Sequence, residues 1–109
     1  MQSMSENNYS VNLYPAALRD MDSIYTYYYI ESQEVAIAEK VIKKLWDAMR
    51  SLSFMPASHS PIREKRLKKD GFRKLICGEY IIPFLIDEEH KTVSVVRVFH
   101  GKMNYQKYL

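Results

Sequence analysis

The residues that are most suited to binding or chemistry form a basic run between Arg63 and Lys74. Seven cations occupy its twelve positions, against only two acidic residues, Glu64 and Asp70. The five cations that precede the next apolar segment are Arg63, Lys65, Arg66, Lys68 and Lys69. Such a run is typical either of a surface that binds phosphates or an acidic protein, or of a solvated linker. No aromatic residue lies between Arg63 and Gly71, so a platform for stacking bases is not expected.

Two further candidates lie near the end of the chain. Arg97 is a lone cation in an apolar segment, and because a buried arginine is rarely unpaired, we expect it to bind Asp87 or Glu79, with a phosphate or partner-binding role as the alternative. His100 follows closely and has the chemistry of a general base, although a lone histidine is more often a hydrogen-bonding surface residue.

Other kinds of site are not indicated. No His, Cys, Asp or Glu residues show the spacing of metal ligands, so neither a metal nor a cofactor is expected. The single Cys77 has no partner for an internal disulfide and is predicted to be a small buried residue in a reducing compartment. Without a run of about 18 apolar residues or an N-terminal apolar segment, the protein is expected to be cytoplasmic and to have no membrane partner.

Charge is distributed unevenly along the 109 residues. Residues 1–54 hold five Lys or Arg and seven Asp or Glu, a net charge of −2, whereas residues 55–109 hold eleven and six, a net charge of +5. This polarity favours a partner with an acidic surface, either protein or nucleic acid.

The elements that must position these residues begin after a polar stretch. Residues 1–8 are predicted to be a disordered leader, followed by one folded domain over residues 9–109. Alternating apolar residues in YSVNLY (9–14) predict a short strand. Pro15 suits the first turn of an amphipathic helix that we expect to run to about Ile30.

A second amphipathic helix is predicted after Ser32, whose side chain can cap it. Its apolar face consists of Ala38, Val41, Ile42, Leu45, Met49 and Leu52. Because the link at residues 31–32 is so short, the two helices are expected to form an antiparallel hairpin, which Pro56 terminates.

Three strands are predicted over residues 72–77, 80–86 and 92–99, with Gly78-Glu79 as a tight turn. Pro83 cannot donate a ladder hydrogen bond, so a bulge or an unpaired neighbour is expected there. The order strand, helix, helix, strand, strand, strand predicts an α+β fold in which the helical hairpin covers one face of a small, mostly antiparallel sheet.

Nine tyrosines are present, and four of them surround little more than one helical turn: Tyr25, Tyr27, Tyr28 and Tyr29. They cannot all face the core. We expect Tyr25 and Tyr28 to pack within the hairpin, and Tyr27 and Tyr29 to lie on an exposed interface together with the basic run.

Two long segments resemble a known family. YSVNLYPAALRDMDSIYTYYYIES resembles the opening of ParE-like toxins, and the ending RVFHGKMNYQKYL resembles that of the ParE branch. Over residues 9–109 the chain is therefore similar to the RelE/ParE toxin superfamily of type II toxin–antitoxin systems, which includes plasmid stabilization proteins. The resemblance implies the RelE/ParE-like fold and a cognate antitoxin, disordered until it binds, that covers the helical hairpin and the sheet edge in a hetero-oligomer.

The resemblance leaves two activities open. ParE-type members bind and poison DNA gyrase, whereas RelE-type members cut mRNA on the ribosome with basic residues and a tyrosine. The sequence favours the ParE type, because the arginine expected after Tyr80 is Ile81 and the terminal arginine cluster is reduced to Lys102. If the protein were of the RelE type, the resemblance would assign catalysis to Arg73, Arg97, His100 and Tyr105. A non-toxic member that only binds its antitoxin is the third alternative.

Overall fold

The chain forms an α+β fold over residues 8–109, the part that the computed structural model describes. The strands are β1 (Ser10–Leu13), β2 (Arg73–Cys77), β3 (Tyr80–Asp87), β4 (Thr92–Val95) and β5 (Phe99–His100). The helices of the α type are α1 (Pro15–Ser32), α2 (Val35–Arg50) and the short α3 (Lys65–Lys69). The predicted fold class, a helical hairpin on a small sheet, is confirmed.

The sheet has the order β1-β4-β3-β2, and β5 pairs with β3 beyond the end of β4. Only the β1–β4 pair is parallel among the described strands. The helical hairpin carries the chain from β1 across the sheet to β2 at the opposite edge. The sheet is thus mostly antiparallel, as predicted. β3 is its central strand, and β1 and β2 are its edges.

The main core lies between the helical hairpin and one face of the sheet. Directly paired residues share a face, so Ile82 and Phe84 of β3 point the same way as Leu75 of β2 and Val95 of β4. The helices supply Ala17 and Met21 from α1, and Leu45 and Met49 from α2. Each large side chain buried here stabilises the fold by about 1.5–3 kcal/mol.

The connection between the two helices differs from the prediction. α1 continues to Ser32 and ends at Gln33, which has the left-handed φ of 60° and donates its N–H to the Tyr29 carbonyl. Ser32 is therefore not the N-cap of α2, a position that Glu34 occupies. Instead the Ser32 hydroxyl donates to the Tyr28 carbonyl at 2.8 Å and accepts from the Glu34 N–H at 3.1 Å.

A second, smaller core covers the opposite face of the sheet. It is built from Ile62, Leu67, Phe99 and Tyr105. The basic run therefore does not form a solvated linker: it forms α3, because Glu64 accepts a hydrogen bond from the Leu67 N–H at 2.9 Å and Leu67 is fully buried.

The predicted third strand, residues 92–99, is divided into β4 and β5 by a bulge. Phe84 pairs with Val95, and Ile81 pairs with Phe99. Between these two pairs β3 advances by three residues and the opposing chain by four, so one extra residue lies within 96–98.

Pro83 explains the position of this bulge. Its carbonyl accepts from the Val96 N–H at 2.9 Å, but its nitrogen carries no hydrogen to return the bond. The ladder therefore breaks opposite Pro83, and the expected irregularity is found on the neighbouring strand.

The bulge directs Arg97 and Val98 towards α1, where the Asp20 carboxylate receives three hydrogen bonds. Arg97 Nε and Nη2 donate to Asp20 at 2.7 and 2.9 Å, and the Val98 N–H donates at 2.9 Å. The hydrogen bond and charge of Asp20 raise the pKa of Arg97 above its usual value. We call this set of three residues the Asp20 junction.

The expected partners of Arg97 were therefore wrong. Asp87 binds His90 in the turn after β3, at 2.8 Å, and Glu79 binds His100 at 2.9 Å. The bulge turns Arg97 away from both carboxylates and places it between α1 and the Phe99 ring, whose centroid lies 4.6 Å from the guanidinium carbon.

The remaining expectations concern the N-terminal leader, the burial of Cys77 and a membrane-spanning helix. The predicted leader lies outside the described residues except for Asn8, which forms a bridge with Phe54. Cys77 is half-buried rather than fully buried. Within residues 8–109, no helix is long and apolar enough to cross a membrane.

Replacing Asp20 by Asn should lower the free energy of unfolding by about 2–3 kcal/mol, because it leaves the half-buried Arg97 without its counter-charge. Asp22→Asn, at an exposed position of the same helix, should change it by less than about 0.5 kcal/mol. Urea unfolding followed by circular dichroism measures both. Equal stability of the two variants would show that the junction does not hold α1 to the sheet.

Candidate functional site

A cleft of ≈ 460 Å³ opens between the second half of α1 and the end of the sheet where β3 begins. We call it the tyrosine cleft; its principal lining residues are Tyr27, Tyr28, Glu79, Tyr80, His100 and Met103. The Asp20 junction forms its inner end through Asp20 and Val98. The contact between α1 and the bulge thus sets the width of this cleft.

His100, the predicted general base, lies in this cleft with both ring nitrogens engaged. Its Nε2 is 2.9 Å from a Glu79 carboxylate oxygen, and its Nδ1 accepts from the Lys102 backbone N–H at 3.2 Å. In this geometry Nδ1 is the acceptor and Nε2 is the donor, towards Glu79. No ring nitrogen in this arrangement has a free lone pair with which to accept a substrate proton.

Tyr80 forms the back wall of the cleft, with its hydroxyl 3.5 Å from that of Tyr28 and its ring edge-on to His100 at 5.6 Å. Burial, followed by the hydrogen bond to Tyr28, raises the pKa of Tyr80 well above its usual range. Tyr80 therefore stays protonated at neutral pH and acts as a hydrogen-bonding and stacking surface.

The other predicted catalytic residues lie elsewhere. Arg73, on β2, donates to the His59 carbonyl at 2.7 Å. Tyr105 packs in the second core with its ring centroid 5.9 Å from that of Phe99, and burial raises its pKa. Since Arg97 belongs to the Asp20 junction, the structure does not gather the four residues into one solvent-facing site.

The cations that were predicted to bind a partner are exposed around α3, but they are not equivalent. Arg66 already donates to the backbone carbonyls of Gln106 at 3.3 Å and Leu109 at 3.1 Å, and so fastens the end of the chain. We define the basic face as Arg63, Lys65, Lys68 and Lys69, all exposed.

The two predicted interface tyrosines are exposed, but on different surfaces. Tyr27, 57% exposed, stands at the mouth of the tyrosine cleft. Tyr29, 43% exposed, shares a helical stripe with Tyr25 and Leu18 on the side of the hairpin away from the sheet. That stripe borders a groove between the helices, the hairpin groove. It is lined by Leu18, Met21, Asp22, Tyr25, Ile42 and Trp46.

The edge of the sheet at β1 is a further surface. The Ser10 and Tyr14 N–H groups bind β4, so the intervening Val11 and Leu13 direct theirs outward. The Tyr9 N–H, just before β1 on the same side, donates to the Ser53 carbonyl at 2.8 Å. Along β1 itself no strand in the described part of the chain pairs with that side, and the segment SVNL has no charge or proline to block pairing. A groove beside it is lined by Val11, Leu13, Trp46, Met49 and Arg50.

Sequence reasoning missed Asp20, Glu79 and Trp46 as parts of these surfaces. Their partners lie far away along the chain, so no local spacing reveals them. Trp46 offered the one available signal, because a single large aromatic residue beside the apolar stripe of a helix often marks a second contact surface.

The fold is shared with chains of solved toxin–antitoxin systems. One chain of the chromosomal ParDE system of P. aeruginosa superimposes with a TM-score of 0.74 at 18% identity, covering 88% of this chain and 99% of that one. One chain of the RelBE2 complex of Mycobacterium tuberculosis gives 0.64 at 23% identity, covering 85% and 98%. A search of curated protein sequences finds no match.

The fold is therefore that of the matching chains in these toxin–antitoxin systems. The family model for the ParE toxin of type II toxin–antitoxin systems matches residues 11–105, and the chain belongs to this family.

The buried hydroxyls predict a loss of stability at alkaline pH. Below pH ~10 the hydroxyls of Tyr80 and Tyr105 are protonated in both the folded and the unfolded chain, so their contribution is fully present there. Above pH ~10 the unfolded chain loses these protons first, and stability falls by at most about 1.4 kcal/mol per pH unit for each group, less where solvent screens it. Tyr80→Phe should reduce this slope in urea unfolding between pH 9 and 11, and Tyr29→Phe should not. An unchanged slope in Tyr80→Phe would contradict the raised pKa of Tyr80.

Proposed function

We propose that this protein is a cytoplasmic growth-inhibiting toxin that binds and poisons DNA gyrase, and that a cognate antitoxin neutralises it. Membership of the ParE toxin family carries this proposal. In a ParE-type mechanism the toxin acts by binding, so it needs exposed surfaces rather than a set of proton-transfer groups.

The placement of the RelE-type residues supports this choice over an mRNA endonuclease. RNA cleavage through the 2′-hydroxyl needs a base with a free lone pair and groups that stabilise charge at one place. Both nitrogens of His100 are engaged, and Tyr105 is buried on the other face of the sheet. Ile81, which stands where the resemblance expects an arginine, packs against the same second core as Tyr105.

Two surfaces suit an antitoxin that folds on binding. The hairpin groove offers apolar area for an amphipathic helix, and the free edge of β1 offers the backbone groups of Val11 and Leu13 to an extended segment. Trp46 lines the grooves beside both, so one partner segment can cross from the first surface to the second.

The basic face suits an acidic macromolecular surface. Three of its four cations, Lys65, Lys68 and Lys69, belong to a helix that Leu67 anchors in the second core, so their spacing is held by the fold. Arg63 lies just before the N-cap of that helix. Electrostatic attraction of this kind raises the association rate and weakens with salt.

Induced expression in bacteria tests the proposed target. Altered DNA supercoiling and a DNA damage response with intact transcripts are expected, and His100→Asn should inhibit growth as strongly as the unchanged chain. Transcripts cut within codons at normal supercoiling would identify an mRNA endonuclease instead. A normal growth rate at high expression would contradict toxicity altogether and leave the antitoxin-binding role.

Charge reversal tests the basic face. Lys65→Glu combined with Lys68→Glu should weaken growth inhibition at least about tenfold, because two attractive contacts become repulsive. Lys40→Glu combined with Lys43→Glu changes the net charge equally on α2 and is the matched control. The readout is the inducer concentration that halves growth, with circular dichroism to verify folding. Equal toxicity of the two double variants would exclude the basic face from target binding.

A further inference from the structure

The tyrosine cleft has a composition that the proposed functions do not explain. Three tyrosine rings line it, those of Tyr27, Tyr28 and Tyr80. The rings of Tyr27 and Tyr28 stand nearly perpendicular, at 87°, with centroids 5.1 Å apart. Perpendicular rings present both a face and an edge to the same space, and a ring face attracts cations through its quadrupole.

The charge of the lining is negative. Its two carboxylates are those of Asp20 and Glu79, and Arg97 already neutralises Asp20. Among residues 8–109, the Glu79 carboxylate has only the His100 ring as a partner, through one oxygen, and its side chain is 75% exposed. The second oxygen of Glu79 has no hydrogen-bond donor among residues 8–109.

These features select the kind of group that fits. An anion would meet Glu79 with no cation in the lining to offset the repulsion. A purely apolar group would cover the second Glu79 oxygen without donating a hydrogen bond to it. A planar cation, in contrast, stacks on a tyrosine face while it donates hydrogen bonds to the free carboxylate oxygen, which a guanidinium does better than an ammonium.

We propose that the tyrosine cleft binds an arginine side chain of the antitoxin. This step rests on the proposed neutralisation by an antitoxin, which would cover the hairpin from the groove side and reach the cleft over Tyr27. Residues of α1 line both the tyrosine cleft and the hairpin groove. A bound segment that passes around α1 would therefore contact both surfaces. The arginine would fix the position of that segment by charge as well as by apolar contact.

The binding chemistry is tested on the full chain without any antitoxin. N-acetyl-arginine amide, added to the protein in an NMR titration, should shift the resonances of the cleft residues saturably, with a dissociation constant on the order of millimolar for a ligand of this size. N-acetyl-citrulline amide has the same shape without the charge, and should bind at least about fivefold more weakly.

Variants locate the interaction. Glu79→Gln and Tyr27→Leu should each weaken arginine binding about fivefold, whereas Glu88→Gln, an exposed carboxylate in the turn after β3, should leave it unchanged. Equal binding of the arginine and citrulline ligands, or shifts unaffected by Glu79→Gln, would overturn the proposal. The gyrase and growth measurements would be untouched by that result, so the two proposals fail separately.

The source of the arginine is tested in the complex. When the toxin is purified together with the antitoxin encoded beside it, N-acetyl-arginine amide should no longer shift the cleft residues, because the cleft is already filled. Unreduced shifts in a stable complex would exclude the antitoxin as the donor.

Discussion

The carboxylate of Asp20 is the contact on which the rest of the arrangement depends. It satisfies the guanidinium of Arg97 and the N–H of Val98 at the one place where the central ladder is broken. Without a carboxylate there, the bulge would leave a cation and a backbone donor half-buried and unpaired. The same contact holds α1 across the end of the sheet, and so determines the space between its tyrosines and β3.

The origin of this junction is a proline. Pro83 removes one donor from the central strand, the opposing chain gains one residue, and Arg97 and Val98 within the resulting bulge turn towards α1. A feature that weakens a sheet locally is used here to join a helix to it. Because the bulge also ends β4, the last residues of the chain lie on the opposite face, where Phe99 and Tyr105 anchor the second core.

The two cores separate the candidate binding surfaces of the protein. The hairpin side carries the apolar groove, the free edge of β1 and the tyrosine cleft, whereas the opposite side carries the basic face on α3. The candidate surfaces on the two sides of the sheet can therefore be occupied independently. The charge asymmetry between the two halves of the sequence reflects the same division.

The sequence by itself determined the helical hairpin, the strand segments and the mostly antiparallel sheet, because periodicity, short links and turn residues are local properties. It also indicated the family, the exposed tyrosines and the irregularity at Pro83. Only the tertiary structure decided that Arg97 binds Asp20, 77 positions away, that Tyr105 is buried, and that both nitrogens of His100 are engaged. These outcomes depend on strand order and on one inserted residue in a ladder, and neither leaves a periodic signal in the chain.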